Sequence, residues 1–527
     1  MFILRYIKRL GSKVYRTVYL AESYREGKKT KHVHLANLSK MPDNLIDALE
    51  RELKGEPSKT TGVLEFTQGK SCGGLIAVKE VCKRLGIIDA LGKDEQAPIA
   101  LLQIIGRVLC QGSRLYIASQ WSGHQALNEV LHIDAFNEDT LYANLDWLSE
   151  NQEKIEKKIF KFRYPDKKLK TVYLYDVTSS YLEGTHNELA AFGYNRDKKQ
   201  GKMQIVIGLL CDDDGYPVSV QVFEGNTQDV TTVTDQLQKL KTKFGVEQVV
   251  FVGDRGMIKS ASISEITEMS WYYITAITKP QIETLLKKEL FQLELFTHKL
   301  MEVKEDEIRY VLHRNAMRAE EIAGSRQKKI EVVQKLAELK NKYFSEHPGA
   351  KEQVALQAVE NKASQLKIDQ CLEIQCKERK ITVKILEDKI KEIAQLDGCY
   401  VIKSNLPEKL ASTDTLHDRY KDLAMVEQAF RTMKQAFEEI RPIYVRKKKR
   451  TRGHVFVCML AYMVIKYVWN ECKDLNINQT NLFDSLDRIQ YVQYDINGVP
   501  VKAIPKNLSE NQTNIIEKLK IKMPSYV

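Results

Sequence analysis

The sequence predicts an α/β protein whose central sheet is interrupted by a long helical insertion. Between residues 170 and 279, short apolar runs typical of buried strands alternate with segments of helical periodicity. Residues 280–398 are instead rich in Lys, Glu and Gln, with apolar positions spaced as in helices. The α/β pattern resumes at about residue 399, so we interpret the charged stretch as an insertion within one core.

This organisation divides the chain into six segments. They are a β-hairpin and helix over 1–60, an all-helical DNA-binding domain over 70–165, the first part of the core over 166–279, an insertion with a helical hairpin over 280–398, the second part of the core over 399–472, and a carboxy-terminal tail over 473–527. For the segment 70–165, periodicity alone favours a DNA-binding role and a simple packing role equally.

The amino-terminal hairpin follows from alternating residues on both sides of the polar turn Arg25–Lys29. His32 and His34 alternate on its second strand, but no third ligand is evident, so we assign them a structural role. In the insertion, Ser345–Gly349 contains a Pro-Gly pair between two helical patterns and predicts the turn of a helical hairpin.

In the core, the apolar runs predict several strands and two helices. The expected strands are 171–176, 204–211, 216–223, 248–253 and 272–277, and the expected helices are 231–244 and 259–268. The three acids at 212–214 could suggest a metal site, but Asp213-Asp214-Gly215 between two apolar runs favours a solvated hairpin turn.

Composition favours a polyanionic partner and gives no sign of a membrane. The formal net charge is +11 with a pI near 8.9, and the run Arg441–Arg452 carries seven positive side chains without an acid. The nine cysteines are scattered and are expected to be reduced thiols of a cytoplasmic protein. The apolar run Val455–Ile465 is too short to span a bilayer and predicts a buried helix.

Three acidic residues stand out as candidate metal ligands. Asp176 and Asp254 each end an apolar run, and Glu427 lies in a helical segment that begins at Tyr420. Carboxylates at strand ends are well placed to share divalent cations, and three clustered carboxylates would repel one another without a cation. Taken singly, each acid also has an ordinary explanation, as a turn cap or an exposed helix residue.

The segment from Asp176 to about Lys466 resembles the DDE transposases of bacterial insertion sequences. Within them it is similar to the insertion-sequence-four superfamily, whose third acid lies in a Tyr-x2-Arg-x3-Glu-x6-Lys signature. Tyr420, Glu427 and Lys434 match that spacing, whereas Leu423 stands at the Arg position. Further similar motifs are Phe192–Lys198, Gln204–Leu210, Asp214–Pro217, Glu224–Asn226 and Gly253–Gly256.

The resemblance implies an RNase H-like catalytic core with a helical insertion, and cut-and-paste transposition that depends on Mg²⁺, with Mn²⁺ as an expected substitute. It implies that Asp176, Asp254 and Glu427 are catalytic and bind the metal. Tyr420, Arg431 and Lys434 would hold DNA phosphates, with Arg431 compensating for Leu423. The further DNA-binding candidates are Arg255, Arg446, Lys447, Lys448, Lys449, Arg450 and Arg452, the last six in an expected phosphate-tracking loop.

The expected partners are double-stranded DNA, as transposon ends and target DNA, and a second copy of the chain that forms a homodimer on DNA. The expected location is the bacterial cytoplasm, associated with the nucleoid. Two other functions remain open from the sequence: a nuclease with the same core but no strand transfer, and a repurposed DNA-binding protein without catalysis.

Overall fold

The structure is a computed structural model, and it describes residues 1–10, 13–27, 29–55, 66–165, 172–194, 196, 199, 201–297, 300–434, 444–496 and 499–527. The chain forms two compact units. The first consists of Met1–Val78, Ser119–Ala135 and Glu471–Val527, and the second of Lys79–Ala118 and Phe136–Asn470. The segment predicted as a helical domain over 70–165 contributes residues to both units.

The strands and α-helices have the following bounds. The strands are β1 Phe2–Leu10, β2 Lys13–Glu26, β3 Lys29–Asn37, β4 Phe66–Ser71, β5 Val172–Tyr181, β6 Gln204–Asp212, β7 Pro217–Phe223, β8 Val250–Gly253, β9 Tyr272–Ala276, β10 Met301–Glu305, β11 Ile308–Arg314, β12 Leu372–Lys377, β13 Lys380–Ile385, β14 Cys399–Ser404, β15 Gln490–Ile496 and β16 Val499–Ala503. The helices are α1 Asp43–Leu53, α2 Gly73–Arg84, α3 Ile87–Leu91, α4 Gln96–Leu109, α5 Arg114–Tyr116, α6 Ser122–His124, α7 Leu127–Leu131, α8 Glu138–Arg163, α9 Asp229–Lys239, α10 Ser260–Glu268, α11 Lys279–Lys287, α12 Ala316–Glu346, α13 Glu352–Gln365, α14 Glu387–Ala394, α15 Thr413–Lys421, α16 Leu423–Lys434, α17 Lys448–Cys472, α18 Gln479–Asp487 and α19 Glu510–Lys518.

The first unit contains two three-stranded antiparallel sheets, β1-β2-β3 and β4-β15-β16. The pairing of β2 with β3 confirms the predicted hairpin, and β1 adds a strand that the sequence pattern did not predict. Helix α1 packs on the first sheet, where Ile3, Val18 and Ile46 form a small buried core.

The second unit is built on an eight-stranded sheet with the order β10-β11-β14-β9-β8-β5-β6-β7. β5 is parallel to β8 and β8 is parallel to β9, while the other neighbouring pairs are antiparallel. This large mixed sheet confirms the predicted α/β class. One face is covered by side chains such as Phe160 of α8, Leu237 of α9 and Ile266 of α10, which pack against Tyr175 and Phe251.

The strand that carries Asp176 is longer than the sequence predicted. The apolar run ends at Asp176, but β5 continues to Tyr181 because β6 pairs with it along its whole length. The parallel pairing with β8 stops earlier, at Tyr175 opposite Gly253. The interpretation of Asp176 as a strand-end residue is therefore wrong for β5 itself, although Asp176 does lie where the parallel pairing ends.

The predicted helical hairpin is present as α12 and α13, with a core that includes Ile330, Val333 and Val359. β10 and β11 lie within the range predicted as insertion, yet they pair with the main sheet. The chain leaves that sheet after Arg314, which pairs with Cys399 where the chain returns. The chain therefore leaves the main sheet and returns to it at neighbouring positions. We call the stretch between β11 and β14, residues 315–398, the excursion.

Helix α17 contains the apolar run at 455–465 that was predicted to be buried. The helical stretch Lys448–Leu475 is long and apolar enough by length and composition to cross a membrane, but 72% of its apolar window is buried inside the structure. Side chains from Val455 to Ile465 are all buried. This is the burial expected of the core helix of a globular protein.

Candidate active site

Asp176 and Asp254 lie side by side because of the register between two parallel strands. Tyr175 of β5 pairs with Gly253, the last residue of β8, and each of these two residues is followed in the chain by an aspartate. Side chains alternate along a strand, so Tyr175 enters the core covered by α8 and α9, whereas Asp176 points to the opposite face. Helix α16 packs on β5 at that face, where Lys434 donates a hydrogen bond to Thr178 Oγ1.

The carboxylate of Asp176 sits in an environment that opposes its ionisation. Burial, the largest cause, and the negative charges of Asp254 and Glu427 raise its pKa to about 7. Two contacts act the other way: the Val177 N–H donates to Asp176 Oδ1 at 2.8 Å, and Arg196 contributes positive charge. The side chain is thus oriented by the backbone but lacks a full counter-charge.

Asp254 follows β8 directly and is exposed, and its carboxylate is held by two donors. The Arg255 N–H donates to Asp254 Oδ1 at 2.7 Å, and the hydroxyl of Tyr420 donates to the same oxygen at 3.1 Å. Burial and the adjacent Asp254 charge raise the pKa of Tyr420, so the phenol remains a donor. Tyr420, predicted to hold phosphate, is in contact with the second acid in this structure.

Glu427 reaches the same region from α16. The sequence predicted one helix from Tyr420 onward, but the helix is interrupted at Asp422, so Tyr420 lies in the last turn of α15 and Glu427 lies on α16. Glu427 is exposed, whereas Val426 and Phe430 on the same helix are buried. The break lets the two helices present the tyrosine and the glutamate independently.

The three acids line one open cavity of about 460 Å³. Arg255 and Tyr420 also line it, so five of the sequence-predicted site residues meet there. The structure therefore brings together side chains that are far apart in the chain, from β5, the loop after β8, and α15 and α16.

Leu423, which stands where the signature has Arg, also lines this cavity. Leu423 is the first residue of α16 and only 8% exposed, so it packs as an apolar residue where the signature has a cation. Arg431, the proposed replacement, is exposed one turn beyond Glu427 on the same helix. Arg431 is not among the residues that line the cavity.

Sequence reasoning missed two lysines of this cavity, Lys279 and Lys421. Lys421 ends α15 directly after Tyr420, and its position next to the signature tyrosine could have identified it. Lys279 begins α11, and its Nζ lies 3.5 Å from a carboxylate oxygen of Asp397. Nothing in the local sequence indicates Lys279, because it follows β9 and comes near Asp254 only through the parallel pairing of β9 with β8.

The basic run predicted as a phosphate-tracking loop is largely helical. Residues 441–443 lie outside the part of the chain that the structure describes. Arg446 and Lys447 are exposed ahead of α17, whereas residues 448–452 form its first turns, so the predicted loop is wrong there. The Lys448 N–H at the helix start donates to Glu188 Oε2 at 2.7 Å, which satisfies one otherwise free donor.

Acids on α8 offset the positive charge at the start of α17. Lys449 Nζ donates to Glu150 at 2.7 Å, and Arg450 Nε donates to Asp146 at 3.1 Å. Cations at a helix N-terminus are unfavourable, which explains why these two are drawn to neighbouring carboxylates. Arg452 is partly buried. Arg446, Lys447 and Lys448 are exposed.

Asp212, Asp213 and Asp214 form a group of carboxylates whose oxygens lie within 4.8 Å of one another. Asp212 is fully buried rather than solvated, and it accepts hydrogen bonds from the hydroxyl of Tyr164 and from the Tyr216 N–H at 2.7 Å. These bonds close the turn between β6 and β7. The group is thus explained by the turn, as predicted, except that its first member is buried.

The donor set at the cavity fits a divalent cation. Carboxylate oxygens are the ligands that Mg²⁺ and similar hard cations prefer. A cation among Asp176, Asp254 and Glu427 would supply the counter-charge that the buried carboxylate of Asp176 lacks. The raised pKa of Asp176 is therefore the property expected of a carboxylate that binds a divalent cation.

Comparison with known families agrees with this geometry. Residues 167–464, more than half of the chain, match the family model described as transposase DDE domain. Residues 4–63 match the model of the IS1634 family transposase, N-terminal domain. A comparison with curated proteins gave no match. The larger match includes all three cavity acids, and the chain therefore belongs to the DDE transposases, whose members cleave DNA and transfer DNA strands.

Proposed function

We propose that this transposase binds the ends of its own insertion sequence and moves it by a cut-and-paste route, using Mg²⁺ held by Asp176, Asp254 and Glu427. The observation that carries the proposal is the convergence of these acids on one open cavity from three separate elements. The cavity opens to solvent, so a DNA strand can reach it, and oxygen ligands from distant parts of the chain are typical of two-metal sites.

The same proposal includes an RNase H-like core. The order of five strands supports it: β7, β6, β5, β8 and β9 are neighbours in that sequence. The first three are antiparallel, and β8 and β9 run parallel to β5. A DDE enzyme with this core is expected to carry one acid on the central strand, one after the next parallel strand and one on a later helix.

The residues around the acids would orient the reacting groups. Bound divalent cations would activate the attacking oxygen and stabilise the leaving oxygen. The Val177 N–H fixes the carboxylate of Asp176, and the Tyr420 hydroxyl fixes that of Asp254. In cleavage, a water oxygen bonds to phosphorus and the bond to the 3′ oxygen breaks, leaving a 3′-hydroxyl. In strand transfer, the oxygen of that hydroxyl bonds to a target phosphorus and the bond from this phosphorus to the target 3′ oxygen breaks, leaving a 3′-hydroxyl on the target strand.

Exposed cations of the second unit would hold the DNA backbone. Arg255 lines the cavity, and Arg431, Arg446 and Lys447 are exposed on α16 or ahead of α17. Each phosphate that a cation neutralises releases counterions, so DNA affinity should fall steeply with salt. Lys434 lies beside β5, where a phosphate near Asp176 would be within its reach.

Other features of the proposal remain predictions. They are the binding of double-stranded transposon ends and target DNA, a homodimer in the DNA complex, a DNA-binding role for helices within 70–165, and action on the nucleoid in the bacterial cytoplasm. The insertion hairpin α12–α13 could also contribute to pairing two ends, and a contact made by both copies would appear only in a complex with DNA.

The proposal is tested by strand cleavage and joining on a labelled DNA end from the encoding element. Wild type and Asp254→Ala are compared with Mg²⁺, with Mn²⁺ and with EDTA. We expect nicked and joined products that need metal and disappear in Asp254→Ala, because this variant loses a cation ligand. Asp214→Asn is the matched control, since it removes an exposed acid of the neighbouring turn and should leave both products.

The outcomes separate the alternatives. Metal-dependent cleavage without joined products would indicate a nuclease. Tight binding of the DNA end by wild type with no cleavage in either metal would indicate a repurposed DNA-binding protein. Loss of cleavage in Asp214→Asn but not in Asp254→Ala would move the metal site to the β6–β7 turn and contradict the proposal.

A further inference from the structure

The amino-terminal sheet β1-β2-β3 has one face covered by α1 and one face that carries rings. Ile3 and Val18 point towards α1 and are buried with Ile46. Side chains alternate along a strand, so Tyr6 and Tyr19 point to the opposite face. Tyr6 is 47% exposed, and every residue of β3 is exposed.

Five rings lie on that second face, three in one group and two in a pair. The Tyr19 ring stacks on the His34 ring, with centroids 4.2 Å apart and planes 8° from parallel. Tyr6 meets Tyr19 at 6.2 Å and His34 at 6.1 Å, and Phe2 meets His32 edge-on at 5.1 Å. We name these five residues the aromatic face. The two histidines, assigned a structural role from the sequence, are thus exposed members of a ring cluster.

The strands that carry the aromatic face are strongly basic. Residues 1–40 contain ten Lys and Arg but only two Asp and Glu. The acids of this region are concentrated on α1 instead, where Arg5 pairs with Glu50 at 2.8 Å and Arg16 pairs with Asp43. Rings on an exposed sheet face together with surplus positive charge are the features that bind nucleic acid strands.

We propose that the aromatic face binds unpaired DNA by stacking bases on Tyr6, Tyr19 and His34. The inference rests on the proposed function, because an enzyme that cuts and joins strands produces unpaired segments at the cut ends. In a duplex, neighbouring base pairs cover the base faces, so flat rings on a sheet can stack only on bases that have left the helix. The basic strands would hold the phosphates of the same segment.

The test is fluorescence anisotropy of the full chain with a labelled oligothymidylate strand and with a duplex, both in EDTA so that no cleavage occurs. The double variant Tyr6→Leu with Tyr19→Leu should weaken single-strand binding about tenfold, because each removes a stacking surface. Duplex binding should change less than twofold. Replacing both tyrosines by Trp should restore single-strand binding, since the indole ring also stacks.

Tyr24→Leu is the matched control. Tyr24 lies on β2 and is 46% exposed, but it is displaced from Tyr19 by an odd number of residues and so points to the α1 side of the sheet. Equal losses for the control and the double variant, or no loss for the double variant, would overturn the inference. An equal loss of duplex binding would show that the face binds duplex DNA, which also contradicts it.

The metal-dependent cleavage assay distinguishes this inference from the proposed function. Asp254→Ala should lose cleavage and keep single-strand binding, whereas the double variant should lose single-strand binding. If wild type does not cleave but the double variant still loses single-strand affinity selectively, the proposed function fails and the DNA-binding face stands.

Discussion

Asp176 carries a charge that the folded chain disfavours, because burial and two neighbouring acids oppose ionisation and raise its pKa to about 7. The folded state therefore holds the proton more tightly than the unfolded state, whose pKa is near the ordinary 3.8. The free energy of unfolding without metal therefore falls as the pH rises from about 4 to about 7. A site that weakens the fold in this way is consistent with a function that depends on a bound cation.

We expect Asp176→Asn to make the metal-free protein more stable at pH 8, by on the order of 2 kcal/mol, because the amide has no charge to bury. Its oxygen can still accept from the Val177 N–H. Thermal unfolding in EDTA at pH 4 and pH 8 measures this, with a smaller difference at pH 4. Mg²⁺ should raise the midpoint of wild type more than that of the variant. A variant less stable than wild type at pH 8 would contradict the pKa shift.

Tyr420 is expected to position Asp254, since its hydroxyl donates to that carboxylate at 3.1 Å. Tyr420→Phe should lower the single-turnover cleavage rate about tenfold, the effect of losing one hydrogen bond to a charged group. DNA affinity should stay within about twofold. The control is Tyr400→Phe, which removes a hydrogen bond to His417 at 2.7 Å in the same cavity. A loss of DNA affinity without a loss of rate would favour the phosphate-holding role predicted from the sequence.

At the scale of elements, α8 and α17 approach closely because Gly453 of α17 has no side chain. A Cβ at Gly453 would lie 2.1 Å from the carbonyl oxygen of Leu145, which is backbone and cannot rotate away. Gly453→Ala should therefore destabilise the protein by on the order of 2 kcal/mol. Gly324→Ala, in the open middle of α12, should stabilise it by about 0.5–1 kcal/mol. Denaturant unfolding of both variants measures these shifts, and equal effects would refute the close approach.

The sequence predicted the strands β6 to β9 closely because turns bound short apolar runs that are buried on both sides. It missed β10 because this strand lies at the sheet edge, where Met301–Glu305 alternates with exposed charges. It also missed the end of β5, since the polar residues after Asp176 are held in the strand only by pairing with β6. The local sequence pattern indicates which residues are buried, whereas the pairing with neighbouring strands determines where a strand ends.

The three acids of the candidate site could be predicted from the sequence, whereas several residues that surround them could not. A strand-associated aspartate and a signature helix can be recognised from neighbouring residues alone. The hydrogen bond from Tyr420 to Asp254 and the position of Lys279 depend on contacts between residues far apart in the chain. Such contacts require the sheet order, in which β9 lies between β8 and β14.

At the scale of the whole molecule, the excursion between β11 and β14 has the properties of a removable part. Its two ends are adjacent, because the Asn315 N–H donates to the Gly398 carbonyl oxygen at 2.9 Å. Its buried residues, among them Val333 and Val359, form a core distinct from the one beneath the catalytic sheet. A part with adjacent ends and its own core can be lost with little entropic cost to the rest.

We therefore expect a chain in which residues 316–395 are replaced by a short Gly-Ser linker to fold. The variant keeps Leu396, which packs against the sheet, and Asp397, which pairs with Lys279. Circular dichroism should show cooperative unfolding, and Mg²⁺ should raise the midpoint as in wild type, because all three acids are retained. The same replacement with Asp254→Ala should lose most of the Mg²⁺ response. A variant that aggregates or unfolds without cooperativity would mean that the catalytic sheet needs the excursion to fold, and the two cores would then act as one.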